Sequence, residues 1–138
     1  MEFSRRETLA LGLGAAALAS LPLRANAAVD DRIAEFTGGA EMADGGIELT
    51  APEIAENGNT VPIAVSAPGA TAVLVLATAN PTPAVATFNF GPLAGSQDAS
   101  TRIRLAGTQD VVAIAKMADG SFARTSSTVK VTIGGCGG

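Results

Sequence analysis

The side chain in this sequence best suited to covalent chemistry is the thiol of Cys136, the only cysteine among 138 residues. It lies in the terminal run Gly134-Gly135-Cys136-Gly137-Gly138. Cysteine is usually buried, yet this one follows the last expected strand and has only glycine beside it. Glycine lacks a Cβ and ranges over backbone space closed to other residues. Three residues past a strand end span about 10 Å when extended. The pattern predicts a thiol on a short flexible tether, offered to another molecule's pocket. An ordinary thiol, with a pKa of about 8.5, is only a few per cent thiolate at neutral pH. The nearest cation along the chain is Lys130, so activation is expected from a partner.

Other chemistry finds little support. A terminal cysteine can be incidental, or can form an intermolecular disulfide. A soft-metal site needs several Cys or His ligands, and the chain has no His and a single Cys; no metal is expected. Prenylation needs three residues after the cysteine, and only Gly137 and Gly138 follow. There is no G-x-S-x-G and no glycine-rich phosphate loop after a strand, so no catalytic residue is expected. Glu53 and Glu56 flank a turn and read as solvated. Arg102 and Arg104 project to one side of an expected strand, toward solvent, an anion or a partner's acidic rim. Asn80-Pro81 and Pro83 read as a rigid turn.

The N-terminus indicates the compartment. Ser4-Arg5-Arg6-Glu7-Thr8-Leu9 is a twin-arginine pattern, followed by a mild apolar stretch from Leu9 to Leu23 and an A-x-A site at Ala25-Asn26-Ala27. Residues 1–27 are expected to be a cleaved signal for twin-arginine export to a bacterial periplasm. The stretch is short of the ~20 residues a spanning helix needs. Cleavage removes three of nine basic and two of thirteen acidic residues, taking the net charge from −4 to −5. An acidic surface without a basic run argues against nucleic acid and anionic membranes. With no Trp or Tyr and five Phe in the whole chain, the core must be built of small β-branched residues and Ala. So thin a core suggests a partner's surface to complete it.

The elements that position the thiol follow from periodicity. Ala28–Phe36 is expected to be a short helix, with Ile33 and Phe36 on one face, Asp30 and Asp31 in its first turn, and Gly38-Gly39 ending it. Strands follow at Ile47–Leu49, Thr60–Ala67, Thr71–Thr78, Val85–Phe90, Ser100–Leu105, Val111–Met117 and Phe122–Ile133. Pro52, Glu56-Asn57-Gly58-Asn59, Pro68-Gly69, Asn80–Pro83 and Asp119-Gly120 separate several of them. About seven strands with regular turn signals predict an all-β, immunoglobulin-like antiparallel β-sandwich. The domains are then residues 1–27 as signal, 28–133 as sandwich and 134–138 as an arm carrying Cys136.

The chain resembles the SoxY family, the sulfur-carrier subunits of the periplasmic thiosulfate-oxidising (Sox) system. The likeness rests on the twin-arginine signal, on Pro52-Glu53-Ile54-Ala55-Glu56-Asn57-Gly58-Asn59-Thr60-Val61-Pro62, on Thr101-Arg102-Ile103-Arg104-Leu105-Ala106, and above all on the terminal Gly-Gly-Cys-Gly-Gly. It implies that Cys136 is a covalent carrier and that Gly134, Gly135, Gly137 and Gly138 form the flexible arm. It implies no cofactor beyond sulfur adducts on Cys136, and no catalysis by the chain itself. The implied partners are a SoxZ-like subunit, exported together with this chain, a c-type cytochrome, a sulfate-releasing hydrolase and a sulfane dehydrogenase. The reading that competes is a structural Ig-like module using Cys136 for a disulfide. A thiol enzyme with its tail folded back would need a second polar group near Cys136, which the sequence does not offer.

Overall fold

A computed structural model describes residues 23–134. Residues 1–22 of the expected signal, and Gly135, Cys136, Gly137 and Gly138 of the expected arm, lie outside the described residues. Helix α1 spans Leu23–Thr37. No Gly or Pro interrupts it, and Val29, Ile33 and Phe36 recur at helical spacing on one face. Gly38, at φ +66°, ends it and donates its N–H to the Ala34 carbonyl at 2.7 Å. The helix starts five residues earlier than Ala28 and runs through the expected cut. Asp30 and Asp31 therefore stand inside it and not in its first turn, where the macrodipole would favour them.

Nine strands follow among the described residues: β1 Met42–Asp44, β2 Glu48–Thr50, β3 Ile54–Asn57, β4 Val61–Ser66, β5 Ala70–Ala77, β6 Ala84–Asn89, β7 Asp98–Ile103, β8 Gln109–Met117 and β9 Phe122–Ile133. The larger sheet runs β1-β9-β8-β5-β6, with β3 also on β9; the smaller runs β2-β4-β7. The β-sandwich expectation holds with two differences. The count is nine rather than about seven, because β1 and β3 add to the strands that periodicity marks. Both pair parallel to β9, one at each end of its outer edge, so the sandwich is not purely antiparallel. Glu56 and Asn57 accordingly belong to β3. The turn comes after them, with Asn59 N–H on the Asn57 side-chain oxygen at 3.0 Å.

Two apolar layers result. Between the sheets lie Val61, Ile63 and Val65 of β4, Val73 and Val75 of β5, Val111, Ala113 and Ala115 of β8, and Leu105 beyond β7. On the outer face of the larger sheet, Leu74, Leu76, Val112, Ile114 and Phe122 receive Val29, Ile33 and Phe36 of α1. Strands β5 and β8 are thus apolar on both faces because both faces are covered. Phe36 and Phe122 meet edge to face, with ring centroids 6.0 Å apart.

Val29, Ile33 and Phe36, the residues of α1 described in this layer, follow Ala27. A chain beginning at Ala28 is expected to melt like one that keeps residues 1–27. Phe36→Ala is expected to cost about 2 kcal/mol, since it removes half-buried aromatic surface and one aromatic pair. Urea denaturation of the three chains checks both statements.

Candidate functional site at the end of the last strand

Strand β9 outruns its neighbour. Its pairing with β8 stops at Val129, opposite Gln109, while β9 continues to Ile133. The overhang Lys130–Ile133 is held on its outer edge by β3, through Ile54↔Lys130, Ala55↔Val131 and Asn57↔Ile133. The Gly58 N–H reaches the Ile133 carbonyl at 2.7 Å, and the Lys130 N–H reaches the Glu53 carbonyl at 2.9 Å. On the other side the Val131 N–H donates to the Thr108 hydroxyl at 3.0 Å. Segment 52–62, which carries part of the family resemblance, is therefore the clamp on the strand that leads to Cys136.

The loop between β7 and β8 closes the other flank. The Leu105 N–H donates to the Gly58 carbonyl at 2.8 Å, so the Gly58 residue ties this loop to the β9 end. At Gly134 the two backbones touch. A Cβ on Gly134 would collide with the Ala106 carbonyl oxygen and lie 3.2 Å from its carbonyl carbon. Glycine stands here because of close approach, a requirement distinct from flexibility.

Two buried amides hold the loop. Asn80 is 5% exposed and Gln109 6%. The Asn80 side-chain oxygen accepts from the Ala106 N–H at 2.9 Å and from Gln109 Nε2 at 2.8 Å. Asn80 Nδ2 donates to the Arg104 carbonyl at 2.8 Å. Gln109 Nε2 also donates to the Gly107 carbonyl at 3.0 Å, and its Oε1 accepts from the Ala79 N–H at 2.9 Å. Among the described residues no buried side-chain polar atom lacks a partner. In sequence, Asn80 reads only as part of a rigid turn and Gln109 draws no attention. A signal for Gln109 does exist: the alternation of β8 extended backwards puts it on the same face as Val111 and Ala113.

Register places the remaining candidates. The end of β9, the Ala77–Ala84 connection and the Val61–Ile103 pair lie at one end of the sandwich. Arg102 and Arg104 are exposed there, on an open groove of about 270 Å³ that they share with Thr82, Ala84, Val85 and Ile103. Arg102 reaches the Thr60 hydroxyl at 3.5 Å. Glu53 and Glu56 are exposed. The ion pair recorded among the described residues is Arg32–Glu35, on α1. Among those residues no group of three His, Cys, Asp or Glu converges as metal ligands. Asp119, in the hairpin at the opposite end, has its carboxyl held below the usual range by hydrogen bonds from the Ser121 hydroxyl and N–H. That carboxylate shapes a solvated turn.

Comparison with known proteins gives a family match that reaches the cysteine. The family model described as sulfur oxidation protein SoxY matches residues 33–136. No curated protein matches the sequence. Among solved structures, the sulfur carrier protein SoxY from Chlorobium limicola f thiosulfatophilum superposes with a TM-score of 0.68 at 37% identity, over 78% of this chain and 99% of that one. A superoxide reductase (neelaredoxin) from Ignicoccus hospitalis gives 0.55 at 15% identity, over 63% and 80% of the two chains. A putative superoxide reductase from Thermotoga maritima gives 0.52 at 16%, over 70% and 89%. The last two share the fold alone.

Asn80→Ala leaves the Ala106 N–H, the Arg104 carbonyl and one Gln109 proton without their partner, and is expected to destabilise the protein by about 2 kcal/mol. Because the two amides form one network, Asn80→Ala with Gln109→Ala should cost less than the two single changes added, by about 1 kcal/mol. Urea denaturation of the four proteins of this cycle tests both figures.

Proposed function

The chain belongs to the SoxY family and is a sulfur carrier of thiosulfate oxidation; from that premise we propose that the sulfur is carried covalently on Cys136, presented on the arm Gly134–Gly138. The observation that carries this reading is the family match itself, which runs to Cys136, the only cysteine available to hold sulfur.

The chemistry balances at one thiol. Loading joins the Cys136 sulfur to the sulfane sulfur of thiosulfate; an S–S bond forms, the thiol proton leaves, and two electrons pass to a c-type cytochrome. Water then cleaves the bond between the sulfane sulfur and the sulfonate, releasing sulfate and leaving a persulfide on Cys136. A sulfane dehydrogenase removes six electrons as three waters supply oxygen, giving Cys136 S-sulfonate. A final hydrolysis releases a second sulfate and restores the thiol. In this scheme the chain supplies a handle and the partner enzymes supply catalysis. The absence of any His from the sequence supports that division. Keeping each intermediate attached raises its effective concentration at the next enzyme.

The same reading includes a SoxZ-like partner subunit and export of the folded pair by the twin-arginine route to the periplasm. Support for export comes from Ser4–Leu9 and Ala25–Ala27. No helix among the described residues is long and apolar enough to cross a membrane. Arg102 and Arg104, at the arm's end of the sandwich, suit an acidic partner rim or the anionic adduct.

Intact-mass measurement of the protein from cells growing on thiosulfate tests the proposal. Reductant-labile additions in steps of sulfur, thiosulfate or sulfonate mass are expected, and Cys136→Ser should lose all of them while keeping its melting curve. A bare thiol, or only a disulfide-linked dimer, in cells actively oxidising thiosulfate would favour the structural module.

A further inference from the structure

We infer that Gly134 is the fixed root of the arm and not a joint in it, and that Asn80 and Gln109 are positioning residues that set where Cys136 starts from. The inference rests on Cys136 as the carrier, but its geometry stands on the described residues alone.

A carrier tail needs freedom at its tip and a defined origin. The last residues of β9 have lost β8 as a neighbour, so β8 cannot supply that origin. A ring of backbone contacts supplies it. Gly58 donates to the Ile133 carbonyl and accepts from the Leu105 N–H. Leu105 leads into Ala106, and the Ala106 carbonyl lies against Gly134. The ring closes only if both backbones approach without a Cβ between them. Three of its members are pinned from elsewhere: Ile133 lies in register with β3, Leu105 is fully buried, and Ala106 hangs from the Asn80 side-chain oxygen.

The loop cannot retreat to make room for a side chain. Its carbonyls at Arg104 and Gly107 are bonded to Asn80 and Gln109, and those amides bond each other in the interior. A Cβ at position 134 must therefore displace the end of β9 or break the amide network. Only Gly135 lies between this root and Cys136, whose Cα can be at most about 7 Å from that of Gly134. Over so short a reach a change of root direction is not averaged away, and a misplacement of about 1 Å at a reacting atom can cost on the order of 100-fold in rate. If all the arm glycines served only flexibility, alanine would have similar effects at each.

The single cysteine makes the test direct. A nitroxide is attached to Cys136 of the full mature chain and a second to Thr87→Cys, exposed on β6, and the distance distribution is measured by pulsed electron paramagnetic resonance. Gly134→Ala should shift the mean distance by several ångströms, whereas Gly135→Ala should leave it in place. Gln109→Ala, which leaves Gly134 itself untouched, should broaden the distribution. On the Gln109→Ala background, Gly134→Ala should produce a smaller shift than on the wild type. Equal shifts from the two alanine variants, or no shift from either, would overturn the fixed root. An unchanged distribution in Gln109→Ala would overturn the positioning role even if Gly134→Ala failed to fold. Loading kinetics with the partner enzymes give the functional readout: Gly134→Ala should slow loading at least about 10-fold while alkylation of Cys136 by iodoacetamide keeps its rate. Because the distance measurement needs no sulfur chemistry, its failure is separate from any failure of the carrier assignment.

Discussion

Beyond Val129 the last strand has lost a neighbour, and the structure at this end of the sandwich is organised around that loss. Backbone N–H and C=O groups have to be paired somewhere. In the overhang Lys130–Ile133 the partners come from β3, from Gly58 and from the Thr108 hydroxyl. Parallel pairing is what makes this possible. Strand β3 enters from the small-sheet side, runs alongside β9 to its last residue, and turns away at Gly58 into β4. The segment that supports the final strand thereby continues into the middle strand of the opposite sheet. The end of β9 is thus coupled to both sheets.

The Asn80–Gln109 pair belongs to the same requirement. An apolar pair of similar shape would leave the carbonyls of Arg104 and Gly107 and the N–H of Ala106 to find other partners near the interior. Burying amides costs free energy unless every donor and acceptor is matched. Here both side chains are matched, and all their partners lie in two chain segments, 79–80 and 104–109. A network of this kind contributes little net stability but specifies one loop conformation. In the carrier reading, such specification serves the segment from which the thiol is presented.

Much of this is legible in the residues, and the exceptions have physical causes. Strands β4, β5, β8 and β9 announce themselves by alternation or by continuous Val, Leu and Ala. The hairpin at Asp119-Gly120 is marked by turn chemistry, and Gly120 does adopt φ +88°. Strands β1 and β3 do not stand out because they are three and four residues long, and their partner β9 is remote in sequence. Their pairing is a tertiary fact without a local pattern. Asn80 looks like punctuation because Pro81 follows it. A residue before proline is biased to extended backbone, and here its side chain is directed into the fold. Gly134 misleads in another way. Its composition suggests freedom, and the geometry shows a backbone contact. Cys136 stands out by residue type and position alone, and it lies outside the described residues.

Glycine thus answers two requirements within one short run. At position 134 the missing Cβ lets the chain lie against the Ala106 carbonyl, which is a requirement for fixity. Beyond it, in the carrier reading, the missing Cβ keeps the tail narrow enough to enter a partner's pocket. The two roles oppose each other energetically, because an arm that kept its freedom at the root would lose the conformational entropy of the whole overhang at every docking event. Anchoring the strand through Ile133 and Gly134 confines that cost to the few residues nearest the sulfur. Each successive enzyme would then meet the same origin and order only the tip, a division that suits a sulfur passed among several sites without release.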